Sequence, residues 1–147
     1  MGTSGNSCEV IVEGVVYTLD PSHFQIDDTI LDIELCKIGS SLLEYGSLEA
    51  MSRTELGRKE AEIERLAAEI DAAIRADAAA NGEKLTETRI KGQVLLNQHY
   101  IAALKEKEKI QTSCQTLRWA MVSLQKKCDC LITLGYREKS LIKSDAY

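Results

Sequence analysis

Proline is all but missing from this chain. Pro21 is the only one, so nothing downstream of it is barred from helix by proline chemistry. Aromatic residues are nearly as scarce, at 5%, and alanine and leucine supply much of the 44% hydrophobic content. A β-sandwich draws on aromatic and β-branched side chains, so this palette favours helix packed on helix. No apolar run approaches the roughly 18 residues that suggest a membrane span. The opening residues Met1 to Ser7 have neither the basic start nor the apolar stretch of a signal peptide, and the expected location is the cytoplasm.

Catalytic sets are missing too. The two histidines, His23 and His99, lie in unrelated segments with no carboxylate or cysteine at a useful spacing. There is no phosphate loop, no dinucleotide-binding glycine pattern and no zinc-protease helix motif. Glu62, Glu64 and Glu69 fit a solvated helix face. The five cysteines are odd in number, and in a cytoplasmic protein they are expected as thiols. Cys128 and Cys130 lack a second ligand pair, and on a helix their side chains diverge by about 200°. The expectation is a protein that is not an enzyme, with no catalytic residues, no metal and no cofactor.

The 147 residues suffice for one domain and little more. Two β-branched runs, Cys8 to Val12 and Val15 to Leu19, flank Glu13-Gly14 and predict a hairpin with a tight turn. Such a hairpin is marginal alone and has to dock on a helix or on a neighbouring subunit. Asp27 and Asp28 can cap a helix starting near Thr29. Leu31, Leu35, Ile38, Leu42 and Tyr45 then alternate at spacings of four and three, and Leu56, Ile63, Leu66, Ile70 and Ala73 resume the stripe. Gly39, Gly46 and Gly57 lie between them, so the pattern allows either one bent helix or two helices broken near Gly46. Asn81-Gly82 provides the stop. Thr86 can cap a second helix, and Asn97 can start or kink a further one.

The last helix has the cleanest period. Ile110, Leu117, Leu124 and Leu131 are seven apart, with Cys114, Met121 and Cys128 between them, a heptad seam. Gly135 is the expected end. Trp119 and Val122 lie off the seam, so this helix has a second apolar face and needs a second neighbour. The predicted architecture is mainly α: long antiparallel helices in a hairpin or bundle, with a small N-terminal β-hairpin, assembled as a homo-oligomer. The expected division is an N-terminal tail and hairpin over 1–24, a long-helix domain over 25–135 and a flexible tail over 136–147.

The net charge of −5 conceals a split. Residues 1–83 hold 6 Lys/Arg against 17 Asp/Glu, a net −11, and residues 84–147 hold 12 against 6, a net +6. Either the two halves pair with each other, or the basic half faces a polyanion. The candidate phosphate-binding cations are Arg75, Lys84, Arg89 and Lys91, around the loop after Asn81-Gly82, with Lys126 and Lys127 further on. Few aromatics accompany them, so nucleic-acid binding would be led by phosphate contacts and sensitive to salt.

The order of features then resembles a known family. A hairpin ending in Leu19-Asp20-Pro21-Ser22 leads into an acidic long helix and a loop. Next come Leu85-Thr86-Glu87-Thr88-Arg89-Ile90-Lys91, then Leu117-Arg118-Trp119-Ala120-Met121, and then Leu124-Gln125-Lys126-Lys127 running to Leu134-Gly135. Over roughly residues 15–140 this is similar to the tailed-phage recombination mediators of the UvsY type. The resemblance implies a ring-like helical oligomer that binds single-stranded DNA. It also implies partners, a recombinase that the protein helps to load and the single-strand-binding protein that must be displaced, and a location in the host cytoplasm if the chain is phage-encoded. It further implies DNA contact through a basic residue near the end of the long N-terminal helix and the following loop, which here are Arg75 and Lys84, with Arg89 and Lys91 close by. Asp71, Asp77, Glu83 and Glu87 crowd these positions, a departure that makes repetition in an oligomer important for affinity. The competing expectation is a helical protein-binding module, an assembly adaptor or an inhibitor of a host factor, with no nucleic-acid activity.

Overall fold

The computed structural model describes residues 7–146; the polar start read above falls, for residues 1–6, outside the described residues. It is a helical hairpin carrying a small β-hairpin on its flank. Strands β1 (Cys8–Val12) and β2 (Val15–Leu19) pair antiparallel, Val12 opposite Val15 and Cys8 opposite Leu19. Glu13 and Gly14 both take positive φ, 50° and 78°, the handedness a two-residue turn needs to match strand twist. Two short 3-10 turns follow, Pro21–Phe24 and Asp28–Ile30, capped by the side chains of Asp20 and Asp27 on the amides of Ser22 and Thr29.

Helix α1 (Leu31–Ala80) is a single 50-residue element about 75 Å long. Of the two alternatives left open by its glycines, the unbroken helix is the one found. Gly46 lies beneath Met121, and a Cβ there would meet the Met121 terminal methyl at 3.4 Å, an ordinary contact. The helix stops where expected. Only Gly82 turns left-handed (φ 67°), while Asn81 keeps φ −92°. The amide of Glu83 donates to the carbonyl of Ala78 and that of Gly82 to Ala79, which satisfies two carbonyls the helix end would leave unpaired.

Helix α2 (Glu87–Leu96) is capped by Thr86 on the Arg89 amide. Asn97 (ψ 129°) breaks the helical path and caps α3 (Gln98–Ser144) through the amides of His99 and Tyr100. α3 returns antiparallel to α1. Ion pairs record the register: Lys127–Glu34, Arg118–Glu49, Lys107–Glu60 and Lys59–Glu106. The predicted end of the last helix is corrected. Gly135 is passed without a break and the helix continues to Ser144, so 136–144 is helical rather than an irregular tail. Glycine lowers helix stability by only about 1 kcal/mol and needs a left-handed residue or a competing cap to stop a helix.

The core sits where the β-hairpin meets the two long helices. Val10, Val12, Leu19, Tyr45, Leu48, Leu117, Ala120 and Leu124 are buried together, with Tyr17, Phe24, Leu42 and Met121 around them. The heptad seam is present: Leu117, Leu124 and Leu131 are fully buried, Cys114 is buried, and Ile110, Met121 and Cys128 are partly covered. The β-hairpin is fastened by polar contacts as well. The Ile11 amide, on the edge of β1 away from β2, donates to Ser113 Oγ at 3.0 Å, and the Glu13 amide donates to Glu55 at 2.9 Å. The ring of Phe24 stacks on Tyr45 with centroids 5.9 Å apart, and the Tyr45 hydroxyl lies 2.7 Å from His23 Nδ1. Among the described residues no helix is long and apolar enough to cross a membrane.

Candidate nucleic-acid interface

The six cations singled out in the sequence do not form one surface. Arg75, Lys84, Arg89 and Lys91 gather at the closed end of the helical hairpin, around the α1–α2 turn. The other two sit near the opposite end, where Lys127 pairs with Glu34, roughly 70 Å of α1 away from that turn.

At the closed end, Lys84, Arg89 and Lys91 are exposed, and among the described residues none of them forms an ion pair. Capping places Arg89 and Lys91 in the first turns of α2, so their charges add to the partial positive charge of its N-terminus. Arg75 differs. Its guanidinium binds Glu87 at 2.8 Å and Asp71 at 2.6 Å, tying the end of α1 to the start of α2. Those two carboxylates hold its pKa well above the ordinary guanidinium value, and Arg75 in turn holds the Glu87 carboxyl below the usual range. A clamp satisfied by two acids has little charge left for a phosphate. Beside Lys91 runs a groove of about 530 Å³ lined by Ala67, Ala68, Asp71, Val94 and Leu95. Leu95 and Leu96, next to the Asn97 break, are exposed.

Lys127 is corrected. It is 6% exposed, with its ammonium 2.6 Å from Glu34 and 3.0 Å from the His23 carbonyl. It joins α3 to α1 and to the 3-10 turn after the β-hairpin, and no polyanion reaches it. Lys126, the adjacent residue, is exposed. A signal for this difference existed. Leu117, Ala120, Leu124, Lys127 and Leu131 alternate at three and four, so Lys127 falls on the buried stripe and Lys126 does not. Glu34 likewise precedes Ile38, Ser41 and Tyr45 at four, three and four on the buried face of α1. Glu34 is the acid that the hydrophobic pattern missed, because a stripe search skips charged positions; Glu49, Ser52 and Lys59 fall on the α1 seam by spacing, and Glu49 and Ser52 are buried there.

Of the two alternatives for the charge split, pairing between the halves is partly present. Lys107, Arg118 and Lys127 pair across the helices with Glu60, Glu49 and Glu34. Lys105 and Lys109 remain exposed and unpaired among the described residues, as do Lys84, Arg89 and Lys91 at the closed end.

Trp119 belongs to a third surface. It is 60% exposed and lines a groove of about 330 Å³ with Cys8, Leu19, Pro21, Phe24 and Ala120. This groove lies level with Glu49, about 45 Å along α1 from the basic turn. Trp119 is therefore uncovered within one chain, while the rest of the packing set, from Ile110 to Leu131, faces α1. Among the described residues no group of His, Cys, Asp and Glu side chains could hold a metal ion, and the cysteines are free thiols. No family model, curated protein or solved structure matches the chain.

Proposed function

We propose that this protein is a helical, non-enzymatic, cytoplasmic scaffold that binds single-stranded DNA as a homo-oligomer through the α1–α2 turn, in the manner of a phage recombination mediator. The observation that carries the reading is the set Lys84, Arg89 and Lys91: exposed cations without ion-pair partners among the described residues, two of them in the first turns of a capped helix. Glu83, Asp77 and the Arg75–Glu87 clamp dilute the local charge, so one copy binds weakly and a ring of copies supplies the affinity. The recombinase and the single-strand-binding protein enter as partners through the family resemblance.

The test is fluorescence anisotropy of a labelled single strand between about 50 and 200 mM salt, where phosphate-led binding falls steeply. Replacing Lys84, Arg89 and Lys91 together by alanine is expected to weaken binding and to flatten the salt slope by roughly 0.7 per lost phosphate contact. Absence of binding at the lowest salt, or an unchanged slope in the triple variant, rules the reading out.

A second reading is favoured by Trp119. An exposed tryptophan beside a groove with Pro21 and Phe24 suits a protein partner, since tryptophan is enriched at interface centres. That reading expects a complex that survives nuclease treatment and is lost in Trp119→Ala.

A further inference from the structure

The β-hairpin has one covered edge and one open edge. Along an antiparallel pair, residues that bond across the ladder alternate with residues whose amide and carbonyl point away from it. The two-residue turn makes Val12 and Val15 a bonded pair, so Val10–Tyr17 and Cys8–Leu19 bond as well. Ile11–Val16 and Glu9–Thr18 therefore point outwards. The Ile11 amide shows this phase directly, since it leaves the ladder to reach Ser113 on α3. β1 is the strand that runs close to α3 and α1, and β2 is the outer one. On β2 the outward amides and carbonyls of Val16 and Thr18 have no hydrogen-bond partner among the described residues. Exposed edges are usually blocked by a charge, a proline or a bulge, and residues 15–19 contain none of these. On the outer face Val16 is 56% exposed and its neighbour Ile11 48%.

We propose that a second copy of this chain completes the sheet, its β2 lying antiparallel to the first β2 about a two-fold axis, in the strand order β1-β2-β2-β1. The proposal rests on the reading that the chain works as a homo-oligomer, and it says where two copies meet. The occupant follows from the strand itself. A two-fold contact needs a surface that is its own complement. Full overlap of two β2 strands puts Tyr17 on the axis and sets Val16 opposite Thr18 of the second copy, and Thr18 opposite its Val16. Both members of each pair are outward-pointing residues, so each pair exchanges two hydrogen bonds and the edge gains four. Main-chain bonds of this kind supply the affinity when a strand is added to a sheet edge. Charge agrees with the choice. The nearest charged residues, Glu13 and Asp20, fall opposite Pro21 and Gly14, so no like charges are directly opposed. A strand of a different protein finds no charge on β2 by which to be selected. The gain is also structural, because a sheet of three or more strands is stable where a lone hairpin is marginal.

Light scattering and amide hydrogen exchange of the full chain, both without DNA, test this. Wild type is expected at twice the chain mass or an even multiple. Its Val16 and Thr18 amides are expected to be protected from exchange, as the ladder amides of Val10 and Tyr17 are. Thr18→Pro removes an outward donor and no rung of the β1–β2 ladder, a position at which a strand tolerates proline. It deletes two of the four bonds between copies. The expected result is half the wild-type mass and loss of protection at Val16, with helicity and the protection of Val10 and Tyr17 unchanged. A monomeric wild type overturns both this contact and the oligomeric reading. An oligomeric wild type with unprotected Val16 and Thr18 amides overturns the contact alone, as does a folded Thr18→Pro variant at wild-type mass. Should the proline variant lose its fold, the protection of Val16 and Thr18 in the wild type decides.

Discussion

Replacing Lys127 by methionine keeps the length of the side chain and removes its charge, which separates an internal tie from a DNA ligand. The Lys127 ammonium and the Glu34 carboxylate are 2.6 Å apart, with side chains only 5% and 11% exposed. At an effective dielectric of 20 their attraction is about 6 kcal/mol. Removing two such ions from water costs several kcal/mol each, so the intact pair contributes little net stability. The single variant is different. It leaves the Glu34 carboxylate buried without a cation and the His23 carbonyl without its donor. The expected loss is about 3–5 kcal/mol for breaking a buried pair. For a chain of this size that lowers the melting temperature by on the order of 10 °C. Lys127→Met with Glu34→Met removes both ions, and its expected stability lies within about 1–2 kcal/mol of wild type.

Urea denaturation followed by circular dichroism, at one protein concentration, measures all four members of the cycle. A coupling of at least about 2 kcal/mol between the two positions is expected, because the sites touch. DNA anisotropy on the double variant adds the second readout, and affinity should be unchanged. If Lys127→Met leaves stability within about 0.5 kcal/mol of wild type and lowers DNA affinity instead, the argument that burial removes Lys127 from the interface is refuted.

Three further perturbations follow from particular contacts. Ser113→Ala strips the acceptor from the Ile11 amide and should cost about 1–3 kcal/mol, seen as faster hydrogen exchange at Ile11 and its β1 neighbours; unchanged exchange would show that the amide finds water. Gly39→Ala and Gly57→Ala meet nothing within 4 Å and should each stabilise α1 by about 0.5–1 kcal/mol, and destabilisation by either would reveal a required bend. Hydrogen bonds from Ser22 and from Thr29 hold the carboxyls of Asp20 and Asp27 below their ordinary values, so the two turns gain stability above that ordinary value and lose it as pH falls through the lower folded values. An acid titration of the β-hairpin signals below about pH 4 should therefore flatten in an Asp20→Asn, Asp27→Asn double variant, and an identical titration would exclude the caps as its cause.

Much of the fold was legible because it obeys short-range rules. The Glu13-Gly14 turn, the Thr86 and Asn97 caps and the Gly82 stop each depend on a few neighbouring residues, and each stands where the chain chemistry put it. The seam from Ile110 to Leu131 was legible because one period describes it. The ambiguity at Gly46 and the misplaced end at Gly135 have one physical source: a glycine weakens a helix without ending it. Gly46 packs against Met121 of α3, and Gly135 keeps helical backbone until the chain leaves the helix after Ser144.

The candidate cations were only partly sorted by the sequence, and the reason bears on how far charge in a sequence can be read. Arg75, Lys84, Arg89, Lys91, Lys126 and Lys127 are equivalent as letters, yet two are neutralised by carboxylates. Glu87, the partner of Arg75, is 12 residues away across a turn, and Glu34, the partner of Lys127, is on the opposite helix. Pairing across antiparallel helices needs the register, and the register follows from where the chain reverses. The stop at Asn81-Gly82 and the start or kink at Asn97 were both legible. Folding the sequence back once, about residues 81–84, places residue 127 about one turn from Glu34 and residue 118 beside Glu49. The free cations of the closed end would then have remained as the residue of a subtraction, which is a stronger ground for assigning them an external partner than their positive charge alone.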